Sequence, residues 1–263
     1  MVNFTLKVLD KDGNTKCADS GEGAASLVVR GEYEEGDKLL LETSEKNIHV
    51  WLQLDDALGA SFLYITDNVE YRIPFKEQRI NLSPKVFSGS IHYMWVRLAR
   101  EDELSQYRNL ALNVNDQHDP VAAYPHASAN VETRGESVFA AKNAIDGVCE
   151  NRSHGAWPYE SWGINMQDDA CFKLDFGRMV ETDKIVLYTR ADFPHDNWWT
   201  QVTLTFSDGS SIDWKLEKSR FGHVLEFDKK QISSLELSHL IKADDPSPFP
   251  ALSQIEVYGT VLK

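Results

Sequence analysis

Hydrophobic and polar residues alternate with a period of two along most of this chain. "FTLKVL" puts Phe4, Leu6 and Val8 on one face, and "IHVWLQLD" puts Ile48, Val50, Leu52 and Leu54 on one side with Trp51 on the other. "HYMWVRLA" repeats the pattern with Met94, Val96 and Leu98. This alternation marks half-buried strands. Turn-forming clusters, "DKDGN", "YEEGD", "SEKN" and "TDN", separate the runs. In the first 115 residues only "AREDELSQY" (99–107) suggests a helix, and a short one. Short strands at this spacing predict an antiparallel sandwich.

Around "NVNDQHDPVAAYPH" (113–126) the alternation stops and Asp, Asn and Pro gather. This places a domain boundary between 1–120 and 121–263. In the second half Val138, Ala141 and Ala144–Ile145 suggest one or two helical turns. Strands then resume at "CFKLDFG", "KIVLYTR", "HVLEF", "SSLELSHL" and "SQIEVYG". Residues 202–216 read as a hairpin, with Val202, Leu204 and Phe206 before an "SDGS" turn and Ile212, Trp214 and Leu216 after it. If that alternation runs backward without a bulge, Trp198 points into the core and Trp199 outward. The expected class is therefore all-β, with two β-sandwich domains.

Composition narrows the partners. A net charge of −14, with no cluster of Lys and Arg, sets the chain against nucleic acid and favours neutral or cationic ligands. No apolar run has the length of a membrane span, so no membrane insertion is expected. The N-terminal residues lack the pattern of a leader, which implies a cytoplasmic protein or a secreted one already processed. The three cysteines lack metal-ligand spacing. Buried free thiols are expected, with a Cys149–Cys171 disulfide as the alternative. No nucleophile elbow, phosphate-binding glycine loop or zinc-protease helix motif is present, so the expectation is a protein that is not an enzyme.

An ordered set of motifs covers nearly all of 123–263: "NAIDG" (143–147), Trp162, "KLDFG" (173–177), "KIVLYTR" (184–190), the "SDGS" hairpin and "SQIEVYG". In this order they resemble the galactose-binding-like fold, specifically discoidin-type (coagulation factor 5/8 C-type) domains and family 32 carbohydrate-binding modules. The resemblance implies a C-terminal jelly roll whose loops at one end bind a ligand, commonly a sugar, without catalytic machinery. It also implies a structural calcium beside the "DG" turn. The implied ligands are the carbonyls of Asn143 and Val148, the Asp146 carboxylate, the Asn151 side chain and position 254. This chain departs from the pattern at two of these: Gln254 stands where Glu is usual, and Asn151 where Thr or Ser is common. The alternative for Asp146 is an Asx interaction that caps the turn.

The resemblance also assigns loops 151–163 and 190–199 to the ligand end. The implied ligand-binding residues are Arg190, His195, Asn197, Trp199, His154, Trp157 and Tyr159. Aromatic faces stack on the C–H face of a pyranose, while Arg, Asn and His bond to its hydroxyls. The implied partner is a neutral or lightly charged glycan. Two other classes remain open: a protein partner held by the same loops, and a glycan-active enzyme using Asp192, Asp196 or Glu160.

Overall fold

The computed structural model describes residues 1–119, 122–151, 155, 157–191 and 197–262. The first half contains β1 (Asn3–Leu9), β2 (Thr15–Glu22), β3 (Ala24–Arg30), β4 (Lys38–Thr43), β5 (Ile48–Gln53), β6 (Ser61–Ile65), β7 (Val69–Arg72) and β8 (Ile91–Leu98). A single helical turn, α1 (Glu101–Leu104), falls in the segment where a helix is expected. The Glu103 carboxylate accepts the Arg100 backbone N–H and pairs with the Arg97 guanidinium at 2.6 Å. The chain continues through β9 (Arg108–Asn109), β10 (Ala123–Tyr124), β11 (His126–Ala129), β12 (Trp162–Gly163) and β13 (Phe172–Thr189). It ends with β14 (Trp199–Phe206), β15 (Ser211–Lys215), β16 (His223–Lys242) and β17 (Ala251–Val261).

Two antiparallel sheets, β2-β1-β4-β7 and β10-β6-β5-β8-β3, enclose the first core. Phe4, Leu6, Val8, Leu39 and Leu41 come from one sheet, and Val50, Leu52, Leu63, Met94 and Val96 from the other. The alternating positions of the sequence are thus the inward positions of a β-sandwich. The second unit is a sheet ordered β12-β17-β13-β16-β14-β15, with β11 on β13 and β9 on β17. Its long strands bend. The β13–β16 register breaks between Asp175 and Val180 and again between Thr182 and Lys184, so one ladder covers two sides of a core. That core holds Trp162, Phe172, Phe176, Leu187, Leu204, Leu235 and Ile255. The hairpin forms as expected, with Val202 opposite Trp214 and Leu204 opposite Ile212.

The tryptophan pair reverses the expectation. Trp199 has no exposed surface, whereas Trp198 is half-buried, with the Lys218 ammonium 4.8 Å from its ring centroid. The cause is a pair of register breaks in β14 against β16, one between Trp199 and Gln201 and one between Gln201 and Thr203. They shift the inward positions from Trp199 to Val202 and Leu204, changing the parity that unbroken alternation would keep. The three cysteines are free and half-buried. Among the described residues no helix is long and apolar enough to cross a membrane.

The two units meet through the outer face of β5 and β6. The Arg108 guanidinium lies 4.1 Å from the Phe62 ring centroid and 5.6 Å from that of Trp51, and Arg178 lies 5.2 Å from Tyr64. β9 and β10 interlock the same units, since β9 pairs with β17 and β10 with β6. At Gly177, where φ is +65°, a side chain would come within 2.4 Å of the Tyr124 ring. His49, stacked on Phe62 at 5.4 Å, is pulled down to about 3 by burial and by the cations Arg178 and Arg108.

Two outcomes follow from this packing. Trp199→Ala should cost about 3–5 kcal/mol in urea unfolding, as expected for a large buried aromatic, while Trp198→Ala should cost a small fraction of that. For His49, the unfolded chain takes up a proton near its ordinary pKa of about 6.5, which the folded protein refuses until pH nears 3. The stability from neutral His49 is complete above the unfolded value and is lost as pH falls from there toward 3. Wild type should therefore lose more stability than His49→Phe between pH 7.5 and 5, measured by urea melts at both values.

Candidate functional site

At one end of the second sandwich, four stretches of chain enclose a cleft of about 490 Å³. Thr133, Arg134 and Phe139 come from two 3-10 turns, and Gly163 to Met166 follow from β12. Arg190 stands just past β13, and Pro246 to Ala251 lead into β17. Tyr159 forms part of the wall. The close approach of two segments requires glycine at 163, since a Cβ there would meet Thr133 Oγ1 at 2.6 Å.

Arg190 and Tyr159 form the fixed centre. The Arg190 backbone N–H donates to the Ala251 carbonyl at 3.2 Å, tying the end of β13 to the start of β17. Its guanidinium is 2% exposed and donates to the Tyr159 carbonyl at 3.3 Å. The same group lies 4.9 Å from the Tyr159 ring centroid, and Phe139 meets that ring edge-on at 5.8 Å. Arg134 lines the cleft but is joined to Glu136 by two bonds, at 2.6 and 2.9 Å. Phe249, 53% exposed, stands between Pro248 and Pro250. Among the described lining residues there is no carboxylate.

Of the residues expected at the ligand end, Arg190 and Tyr159 come together in this cleft. Trp157 is 40% exposed but is not part of its lining. Asn197 is buried, and its amide donates to the carbonyls of Ala243 and Ser247 at 3.0 Å each while accepting the Trp198 N–H. It fastens the 243–247 segment and has no surface for a ligand. Trp199, buried against Trp162, likewise offers none. His154 and His195 lie outside the described residues. Arg134, Phe139, Met166 and Phe249 escaped the sequence reading. The one local signal was "PSPFP" (246–250), a proline-rich stretch with a single aromatic.

The residues implied for calcium gather beside the cleft. Asp146 Oδ1 accepts the Val148 N–H at 2.8 Å, which is the Asx cap. Gln254 Oε1 accepts the Gly147 N–H at 3.1 Å, so this amide oxygen braces the turn. The Asn143 side chain is also occupied, since it accepts from Asn81 and donates to Ser137 O. Asn151 Oδ1, however, is buried without a partner, and so is one oxygen of Glu160, Oε1. Orphaned acceptor oxygens next to a buried carboxylate fit a hard cation, which takes oxygen donors alone. Burial, then the Glu160 charge, hold the Asp146 carboxyl well above the usual carboxylate range.

A second group of metal-ligand type lies in the first unit, where Asp55, Asp56 and His92 bring ligand atoms within 4.8 Å of one another. His92 Nδ1 faces Asp55 Oδ2 at 3.1 Å and its Nε2 faces the Gly89 carbonyl at 3.1 Å. This cluster could hold a metal ion.

Asn197→Ala should remove the side-chain donor to the Ser247 carbonyl and one of the two donors to the Ala243 carbonyl, which also accepts the Asp245 N–H. A loss of about 1–3 kcal/mol is expected in urea unfolding, with faster proteolysis confined to 243–250.

Several solved structures are similar to part of this chain. The family 32 module of NanJ from C. perfringens, in complex with galactose, is 15% identical with a TM-score of 0.42, over 58% of this chain and 99% of that one. The lectin binding domain of Lectinolysin, complexed with Lewis b, is 17% identical with a TM-score of 0.44, over 60% and 99%. Chitosan-binding module 1 from a chitosanase/glucanase of Paenibacillus sp. IK-5 is 18% identical with a TM-score of 0.40, over 57% and 98%. No curated protein matches the sequence. Residues 121–258, just over half of the chain, match the family described as Domain of unknown function (DUF7402), and the chain belongs to that family.

Proposed function

We propose that this protein binds carbohydrate without catalysis, through the cleft at the loop end of its second sandwich. The observation that carries the reading is the combination at the cleft wall of aromatic faces, Tyr159 and Phe249, with the planar Arg190 guanidinium. A pyranose presents a C–H face for stacking and ring-plane hydroxyls for bonding, and these are the two surfaces such a wall complements. The sequence resemblance to sugar-binding modules points the same way. The motifs that carry it run through the strands that position Arg190 and the 246–251 segment.

The ligand is a neutral or lightly charged glycan. Arg134 is paired with Glu136, so the cleft offers little free positive charge to an acid. Part of the reading is a structural calcium held by Asp146 and Asn151, with the carbonyls of Asn143 and Val148. In it Gln254 serves as a brace for the turn. A glycosidase would need two carboxylates across the cleft, and Asp192 and Asp196 are the acids left for that role.

A glycan array followed by calorimetry tests the reading. Wild type should bind at least one neutral glycan, and Tyr159→Ala or Phe249→Ala should each weaken binding about tenfold, near 1.4 kcal/mol. No binding by wild type, or unchanged binding by both variants, would refute it. Hydrolysis of chromogenic glycosides that vanished in Asp196→Asn would favour the enzyme instead.

A further inference from the structure

In the first unit, the hydrogen bonds of one buried histidine fix its chemistry. His92 lies near the start of β8, and Asp55 and Asp56 follow the end of β5, the strand paired with β8. The ligand atoms of all three lie within 4.8 Å of one another. The His92 and Asp55 side chains are each 2% exposed, while Asp56 is exposed. The Gly89 carbonyl stands 3.1 Å from His92 Nε2. A carbonyl oxygen can only accept, so Nε2 carries the ring proton. His92 Nδ1 then turns a lone pair toward Asp55 Oδ2 at 3.1 Å. Two buried acceptors at that distance are unfavourable unless a positive group stands between them. Asp55 Oδ1 accepts the Ala57 N–H at 2.9 Å, and Asp56 Oδ1 accepts the Tyr93 N–H at 3.3 Å. These bonds position both carboxylates without supplying a charge, and among the described residues no Lys or Arg pairs with either acid. A second observation comes from Tyr33, whose ring lies on that of His92 with centroids 4.2 Å apart. Its hydroxyl is buried without a partner. Burial, then the Asp55 charge, push that hydroxyl up, so it feels the same carboxylate.

We propose that His92, Asp55 and Asp56 bind a divalent transition-metal ion of the Zn²⁺ type, through His92 Nδ1 and an oxygen of each carboxylate. An imidazole nitrogen beside carboxylate oxygens suits Zn²⁺, whereas Ca²⁺ takes oxygen donors alone. A metal-ligating histidine donates its other ring N–H to a carbonyl or carboxylate, which fixes the tautomer, and the Gly89 carbonyl fills that role. Gly89 has a φ of +93°, a conformation that side chains rarely adopt, so glycine is the residue suited to present the carbonyl there. Three protein ligands leave such an ion a further position for water or another donor, and exposed Asp56 gives solvent access to it. A water held there would offer the Tyr33 hydroxyl the partner it lacks. The site shares no residue with the cleft lining, and it stands apart from the carbohydrate reading.

The test uses the full chain stripped with EDTA. Zn²⁺ is titrated by calorimetry, and histidine ring ¹⁵N spectra follow His92. In wild type, Zn²⁺ should bind and move the His92 Nδ1 resonance while the Nε2–H is kept; Ca²⁺ should leave that resonance in place. Asp55→Asn should abolish the shift, since its amide can donate to Nδ1 and fill the gap with an ordinary hydrogen bond. Asp56→Asn should weaken Zn²⁺ binding about tenfold or more. Asp56 is on the surface, so this variant decides the matter if Asp55→Asn is poorly folded. The proposal is overturned if wild type binds no Zn²⁺, or if Zn²⁺ binds and the His92 ring does not respond. Asp56→Asn binding as wild type does would overturn it too. So would a His92 ring that carries two protons at neutral pH and keeps them in the presence of Zn²⁺, which would make the pair with Asp55 an ion pair alone. None of these readouts involves a glycan, so failure here and failure of the carbohydrate reading are separate results.

Discussion

Trp162 and Trp199 meet at the centre of the second core with ring centroids 6.3 Å apart, and neither has exposed surface. Each lies at the start of a strand, β12 and β14, so the loop before each leaves the core from this contact. Glu160 and Tyr159 stand two and three residues before Trp162, and Asn197 two before Trp199. The Trp162 indole donates to the Val131 carbonyl at 2.9 Å, which adds the entry to the 3-10 turns carrying Arg134 and Phe139. An aromatic pair of this size makes dense contact that resists displacement. The loops of the cleft therefore take their positions from a rigid element.

The alternation in the sequence exposed the strands because side-chain direction in a strand is local. Val202–Leu204–Phe206 and Ile212–Trp214 could be assigned to a hairpin face from the string alone. The parity at Trp199 could not, because it depends on two breaks in register against β16, and register belongs to the pair of strands. The site divides in a similar way. The meeting of Arg190 and Tyr159 in one cleft was legible because each lies in or beside a motif of the resemblance. Asn197 was misassigned: an amide in a polar loop looks like a ligand contact until the carbonyls of Ala243 and Ser247 are seen to claim it. Phe249 and Arg134 are brought to the cleft from segments more than a hundred residues apart, and no local pattern records that meeting.

The N-terminal unit bears on this geometry through its contact with the second. Arg108 and Arg178 lie over Phe62, Trp51 and Tyr64, and burial with few charged partners lowers both guanidinium pKa values, Arg178 to about 10. Half-buried cations on aromatic faces keep attraction that water would otherwise screen. They also fix orientation, since a planar guanidinium satisfies a ring in few poses. With β9 and β10 crossed between the units, the contact is both covalently short and sterically specific. A change at Phe62 therefore acts on both cores, because it belongs to the second core while residing on β6.

Charge separates the two ends of the second unit's chemistry. The chain carries −14 overall, and an anionic ligand approaching it meets a repulsive field. Within the cleft the guanidiniums are held by an acid at Arg134 and by a ring and a carbonyl at Arg190, so they offer shape and hydrogen-bond direction more than net charge. Beside the cleft, by contrast, Glu160 is buried next to half-buried Asp146, among the described residues Lys142 is the cation that opposes them, and burial disfavours their charged forms. A divalent cation would relieve that imbalance in a way an uncharged sugar cannot. The two neighbouring features thus differ in chemistry, an oxygen cluster that holds Asn151 and Glu160 and an aromatic wall that holds Tyr159 and Phe249. Glu160 Oε2, which accepts the Tyr159 backbone N–H, links the two.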